Sequence, residues 1–355
     1  MLYTGLDIHK RYSVACTFDG QGRKIREGRI SGNSPEAFAA YFGALPEPSE
    51  VLLEACWNWG TVHDTLEESA TVAAVLVSHP AKNRIIADAQ IKTDKVDAQA
   101  LGTLLRGRFF AQVHVPSREA RAQKNVLRRR LWLARLRTMI RNRIHALLDR
   151  HPAVPRPQFK DPFCKKGLAW LKRASIPQPD RGLLDEELAL LEQVDAQIRL
   201  MEERIQRRNK QDPLARRLQT LPGVGPILGA VMALEIDTID RFRSSAKLCA
   251  YAGLVPSTHS SGGKTSHGRM LPFCNRWLKW AFIEAAWVSV GCSDYFGQLY
   301  RTHRARGKGA NEAISITARR MATIAWQMLK AQRDYSAEPP VRPTQKISPA
   351  APALG

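Results

Sequence analysis

The sequence predicts an α/β domain at the N-terminus followed by a largely helical remainder, and three observations carry that prediction. Short apolar runs alternate with helical patterns over the first hundred residues. Two long stretches after residue 118 place apolar side chains at helical spacing. From residue 213 onward the pattern stays helical around a glycine-rich loop.

Taken in order, 2–8, 12–18 and 24–30 read as strands, with Asp19-Gly20-Gln21-Gly22 turning the second into the third as a hairpin. A short helix is expected over 35–42, a buried strand over 51–55, a helix over 59–68, a strand over 72–77 and helix again over 81–108. That order is an α/β sheet with a leading antiparallel meander. A long helix follows over 119–150, with Leu127, Leu131, Ala134, Ile140, Ile144 and Leu147 on one side. A proline-rich connection spans 151–182. A second long helix runs over 183–208, where Leu184, Leu191, Ile198 and Ile205 recur every seven residues and Val194 and Met201 complete a seam. Two such helices suit a central antiparallel coiled coil, either an intramolecular hairpin or a dimer-forming arm. The expected domains are 1–110, 111–212, 213–332 and a disordered tail over 333–355, where five prolines fall without periodicity.

Composition narrows the function. At 44% hydrophobic and 25% charged residues the chain is an ordinary globular protein. No apolar run approaches the roughly 18 residues of a membrane span, and the start MLYTGLDIHK is too polar for a signal peptide. A cytoplasmic, nucleoid-associated protein with no membrane partner is therefore expected. The net charge is +21, yet residues 1–100 carry 10 basic and 13 acidic side chains, so the whole excess lies later. Between 105 and 150 there are 13 basic residues and 2 acidic ones. A field of that sign favours nucleic acid, and Arg128, Arg129, Arg130, Arg137 and Arg141 are the expected backbone contacts. The six cysteines are scattered without a C-x-x-C pair and read as reduced thiols.

Four acids stand out. Asp7 and Glu54 each interrupt an apolar strand, and a buried carboxylate requires a cation or hydrogen-bond donors. Asp94 and Asp97 lie three apart, on one face of a helix. On a ribonuclease-H-like strand order these four converge at one sheet edge, and oxygen-only ligands suit Mg²⁺ or Mn²⁺. Taken singly, each also suits a cap or turn. The loop 254–266 offers Ser260 and Ser261, two glycines, then Lys264 and Arg269, an arrangement for holding a phosphate or presenting a serine nucleophile, or else a flexible linker. Leu221-Pro222-Gly223-Val224-Gly225-Pro226 reads as a helix-hairpin-helix-like turn whose glycines present backbone N–H groups to DNA, or simply as a tight helix–helix turn.

Together, Gly5-Leu6-Asp7-Ile8-His9-Lys10, Leu53-Glu54-Ala55, Lys92-Thr93-Asp94-Lys95-Val96-Asp97-Ala98, the 221–226 turn and Ala252-Gly253-Leu254-Val255-Pro256 through Ser261-Gly262-Gly263-Lys264 resemble the DEDD insertion-sequence transposases, to which the Piv DNA invertase also belongs. The resemblance covers roughly 3–330. It implies an α/β RNase-H-like (RuvC-like) N-terminal domain, a coiled-coil arm and a mainly α-helical C-terminal transposase domain with a serine nucleophile. It implies Asp7, Glu54, Asp94 and Asp97 as metal ligands for Mg²⁺ or Mn²⁺, and Ser261, immediately before the glycine pair, as the nucleophile, with Ser260 one position away. It further implies donor and target DNA, a structured guide (bridge) RNA from the element, and dimers pairing into tetramers. Cys56-Trp57-Asn58-Trp59 departs from the family, where a small or hydroxyl residue and then glycine are common after the acid. The expected activity is RNA-guided DNA recombination through a serine–DNA link. The alternatives are a RuvC-like nuclease hydrolysing with water, and a non-catalytic nucleic-acid scaffold.

Overall fold

A computed structural model describes residues 1–83, 93–261, 264–270 and 273–336, with the side chains of 258–261, 264–267 and 269 excepted. The expected tail lies, from residue 337 on, outside the described residues. The chain divides into two compact units, Met1–Pro116 and Ser117–Gly355.

The first unit holds a mixed five-stranded sheet in the order β3-β2-β1-β4-β5, formed by β1 (Leu2–Ile8), β2 (Tyr12–Phe18), β3 (Lys24–Ser31), β4 (Ser49–Glu54) and β5 (Val72–Ser78). The meander β1-β2-β3 is antiparallel, while β4 and β5 run parallel to β1. Asp19 makes the β2–β3 hairpin, its Oδ1 accepting from the N–H groups of Gln21 and Arg23 at 2.9 Å. The helices α1 (Pro35–Phe42), α2 (Trp59–Glu67) and α3 (Asp94–Gly107) complete the unit. Ser34 caps α1 ahead of a proline at its first position, and Thr93 caps α3. The expected helix over 81–108 is thus described only as a short turn of 3₁₀ helix over Pro80–Lys82 and as α3, and 84–92 lie outside the described residues. This mixed sheet with its helices is consistent with an RNase-H-like α/β domain.

In the second unit, α4 (Arg118–Asp149) and α6 (Asp180–Gln211) are 32-residue helices that share a core of Leu133, Ile140, Ile144 and Leu147 against Leu184, Leu191, Val194, Ile198 and Met201. They are antiparallel, because their ion pairs run in opposite order along the two chains. Arg130 meets Glu202, Arg137 meets Asp195, Arg143 meets Glu187 and Arg150 meets Asp180. A short helix, α5 (Lys165–Leu171), interrupts the proline-rich connection; Cys164 caps it and Leu171 is fully buried. Beyond α6 come α7 (Pro213–Leu218), α8 (Pro226–Ile236), α9 (Ser245–Tyr251), α10 (Arg276–Cys292), α11 (Asp294–Ala305) and α12 (Ala310–Lys330) around one core. Ala120, Leu127, Leu131 and Ile205 join that same core, so the base of the long helix pair and the C-terminal helices pack together.

The glycine-rich loop corrects the sequence reading. Residues expected to be loop or linker form a two-stranded antiparallel ladder, β6 (Pro256–Ser261) with β7 (Lys264–Met270). Two glycines between hydroxyl-rich runs are a two-residue hairpin signal, and these strands escaped notice because they lack apolar alternation.

Candidate active site

The α/β topology brings the N-terminal acids to the ends of adjacent strands. β1 and β4 are parallel and pair Leu6 with Leu53, so Asp7 and Glu54 follow side by side at their C-terminal ends, the usual location of sites in parallel α/β sheets. Asp94 and Asp97 open α3, which lies against β1 at Gly5. A Cβ on Gly5 would stand 2.1 Å from the Ala98 carbonyl oxygen and 2.2 Å from the Gly102 nitrogen. Glycine therefore sets how closely the helix, with its two acids, approaches the strand that carries Asp7.

At this corner His9 Nε2 lies 3.0 Å from Asp7 Oδ2 and 3.3 Å from Asp94 Oδ2. The ligand atoms of Asp7, His9 and Asp94 all fall within 4.8 Å of one another. Tyr12 stacks on His9, with ring centroids 4.6 Å apart, and donates its hydroxyl to Asp94 Oδ2 at 2.9 Å. Burial pushes the Asp7 carboxyl above its usual range; the charges of Asp97 and Asp94 add to the shift and His9 opposes it. Among the described residues, Asp97 Oδ1 is buried without a hydrogen-bond partner. Glu54 stands outside the tight group, and its Oε1 accepts from Asn83 Nδ2 at 3.2 Å. The same Asn83 amide donates to Ser78 Oγ at 2.9 Å, which ties the ends of β4 and β5 together.

These observations fit a hard divalent cation. Among the described residues, Asp7 and Asp94 crowd together with one imidazole, the Asp7 carboxyl is shifted upward by burial, and Asp97 Oδ1 lacks a hydrogen-bond partner. His9, Tyr12 and Asn83 were not singled out from sequence. His9 lies just beyond the end of β1, in the turn to β2, where its N–H donates to the Tyr12 carbonyl at 2.9 Å. The departure at 56–59 also acquires a role. Asn58 Nδ2 donates to the His9 carbonyl at 3.3 Å, Asn33 Nδ2 donates to it at 2.8 Å, and so the turn after β1 is pinned from two sides.

In the second unit, Ser261 and Lys264 form the last pair of the β6–β7 ladder. Their side chains, that of Ser260 and that of Arg269 lie outside the described ones, as do Gly262 and Gly263. The 221–226 turn links α7 to α8. Gly223 adopts φ +82° and sits so close to α10 that a Cβ would stand 2.3 Å from the Ala285 carbonyl oxygen, whereas Gly225 has open space around it and caps α8. Gly223 is thus explained by close helix packing, and Gly225 is the glycine left free to face a ligand.

The five arginines divide. Arg130 Nε donates to Glu202 at 3.0 Å and Arg137 reaches Asp195 at 3.4 Å, so both also brace α4 against α6. Arg141 lies over the Phe163 ring. Arg128 and Arg129 are exposed and lie over Trp277 and Trp132, respectively. At the base of α4 a buried polar network escaped the sequence reading. Lys124 Nζ donates to Glu235 Oε2 at 3.0 Å, Asn275 Nδ2 donates to the same oxygen at 2.8 Å, and Asn275 Nδ2 lies 3.1 Å from the Tyr251 hydroxyl. Glu235 is the lone acid within the apolar α8, the same signal that singled out Asp7 and Glu54.

Two family models match the chain, a DEDD transposase model of the IS110 type over residues 4–152 and the Transposase IS116/IS110/IS902 family over residues 215–301. Among curated proteins, a probable family 20 transposase of Pseudomonas aeruginosa is 27% identical over 83% of this chain and 88% of its own length. An uncharacterized 44.8 kDa protein of insertion element IS116 from Streptomyces clavuligerus is 23% identical over 97% of this chain and 98% of its own. The transposase for insertion sequence element IS1111A of Coxiella burnetii is 25% identical over 93% and 90%.

Proposed function

Because the chain belongs to the IS116/IS110/IS902 family of transposases, we propose that it cuts and rejoins DNA strands, guided by a structured RNA, to move an insertion sequence. The observation that carries this reading is the meeting of Asp7 and Asp94, with the charge of Asp97 felt at Asp7, at the end of β1. In this reading Asp7, Glu54, Asp94 and Asp97 hold Mg²⁺ or Mn²⁺, which supplies positive charge to the scissile phosphate. His9 and Tyr12 fix the Asp94 carboxylate, and Asn83 fixes Glu54.

Ser261 is the nucleophile. Its Oγ bonds to phosphorus, the bond from phosphorus to the 3′ oxygen breaks, and the serine proton ends, net, on that departing oxygen. An incoming 3′ hydroxyl reverses the same exchange and restores the serine. Gly225, Lys264, Arg269 and the arginines of α4 contact nucleic-acid backbone, with Gly223 setting the turn. Residues 111–212 act as a basic helix and coiled-coil arm that forms dimers, these dimers pair into tetramers, 213–332 form the transposase domain with the serine loop, and 1–110 form the acid domain.

The test is a denaturing gel of the protein, co-expressed with the non-coding DNA flanking its gene and incubated with labelled element ends and Mg²⁺. A protein–DNA adduct that vanishes in Ser261→Ala and in Asp97→Ala is expected. DNA cleaved without adduct in both native and Ser261→Ala protein makes it a water-using nuclease instead. Strand exchange that survives Asp97→Asn reduces the acids to structural residues.

A further inference from the structure

Outside the acid site, the second unit contains an open cavity of about 690 Å³ between α4 and the first turns of α10. Its lining combines two indoles, Trp277 and Trp280, with three guanidinium groups, Arg130, Arg135 and Arg276, and includes the small side chain of Ala134. No acid lines it. Among the described residues neither Arg135 nor Arg276 has an acidic partner, and both are exposed. Arg130 is anchored on its far side by Glu202. The volume lies within the range of about 300–1,000 Å³ typical of small-ligand sites.

We propose that this cavity binds an unpaired nucleotide of a single-stranded nucleic-acid segment, its base against the indoles and its phosphates on Arg135 and Arg276. The proposal rests on the reading that the chain handles nucleic acid, and it adds to that reading a specific site and strand state. A base presents its flat face to an aromatic wall only when it is not stacked in a duplex, and a base–aromatic contact tolerates any sequence. Paired cations flanking indoles match a phosphate–base–phosphate unit better than they match a neutral ligand or a duplex, whose phosphates are met by protruding side chains. The position is also telling, because α10 directly follows the β6–β7 hairpin in the chain. A strand held here would enter the neighbourhood of the hairpin's C-terminal leg.

The experiment compares the affinity of the full chain for labelled oligo-dT, oligo-U and a random duplex of equal length, all without Mg²⁺ so that nothing is cut. Trp280→Leu removes a stacking wall, Arg135→Ala removes a cation, and Ala134→Leu fills the cavity while leaving every wall residue in place. Each should weaken single-strand binding by about 5- to 100-fold. For Trp280→Leu and Ala134→Leu the duplex affinity should stay within about twofold, while Arg135→Ala, which also removes a charge, weakens both with the larger loss on single strands. Preference for oligo-U assigns the site to RNA, preference for oligo-dT to a DNA strand, and either supports it. Single-strand affinity unchanged in Ala134→Leu and Trp280→Leu, or lost equally on duplex, overturns it. A chain that binds no nucleic acid at all instead removes the functional reading beneath it.

Discussion

Lys124→Met tests whether the buried ion pair at the base of α4 braces the helical unit. The Lys124 and Glu235 side chains are only 10% and 8% exposed, and their charges meet at 3.0 Å. Methionine fills the lysine's volume, so no cavity complicates the result. It leaves a buried carboxylate, and breaking such a pair costs about 3–5 kcal/mol. Two contacts remain and lower that figure. Asn275 still donates to Glu235 Oε2 at 2.8 Å, and the half-exposed Arg128 guanidinium stands 3.9 Å from Oε1, near enough to move in. A loss of about 2–3 kcal/mol is therefore expected. Tryptophan fluorescence during guanidinium unfolding reports it selectively, because Trp132, Trp170, Trp277, Trp280, Trp287 and Trp326 lie in the second unit and only Trp57 and Trp59 in the first. In the double variant Lys124→Met/Glu235→Leu neither charge is stranded, so stability should return to within about 1 kcal/mol of the native chain. Single variants that each cost under about 1 kcal/mol and add without coupling would refute the brace.

Gly5→Ala drives a methyl into the Ala98 carbonyl and should cost about 1–3 kcal/mol, while pushing Asp94 and Asp97 away from Asp7. DNA cleavage should then fall further than the fraction of unfolded chain explains, which circular dichroism beside a cleavage assay can measure. Asp7→Asn should stabilise the metal-free first unit at neutral pH. The native carboxyl is raised, so the charge penalty is absent below the ordinary value of 3.8, grows as pH climbs through the raised native value, and is constant above it. Melting in chelator from acid to neutral pH should show the variant's advantage widening in that direction, and a constant advantage contradicts it. Gly223→Ala combines a left-handed backbone with a 2.3 Å approach to α10, and a lower melting temperature of the second unit is expected.

The inner sheet was legible from sequence because buried strands need contiguous apolar residues, and Val51-Leu52-Leu53 of β4 and Val72 to Val77 of β5 are contiguous, while the Asp19–Gly22 turn marked the β2–β3 hairpin. That Asp7 needs a cation or donor was legible because a carboxylate stands in an apolar strand, and in the structure His9 meets it at 3.0 Å. His9 was passed over because histidine in a polar turn stands out only once the geometry places it between two acids. The β6–β7 hairpin was hidden by its polar composition. Lys124 was hidden in a crowd of thirteen cations, although Ala120, Leu127 and Leu131 put it on the buried face of its helix.

The ion pairs between α4 and α6 carry a further consequence. The cations lie on α4 or, for Arg150, at its C-terminal cap, and the anions on α6, and successive rungs, Arg130, Arg137, Arg143 and Arg150 against Glu202, Asp195, Glu187 and Asp180, step by about one heptad. Such a ladder dictates orientation but is nearly blind to translation, because sliding one helix by seven residues, about 10 Å, brings most rungs onto a new partner of the right sign. The alignment must therefore be fixed at the two ends. At one end His151 meets Asp180 at 2.8 Å, and at the other α8 holds both helices, Asn209 of α6 donating to the Pro226 carbonyl at 2.8 Å and Lys124 of α4 to Glu235 at 3.0 Å, aperiodic clamps that a displaced helix has no way to reproduce.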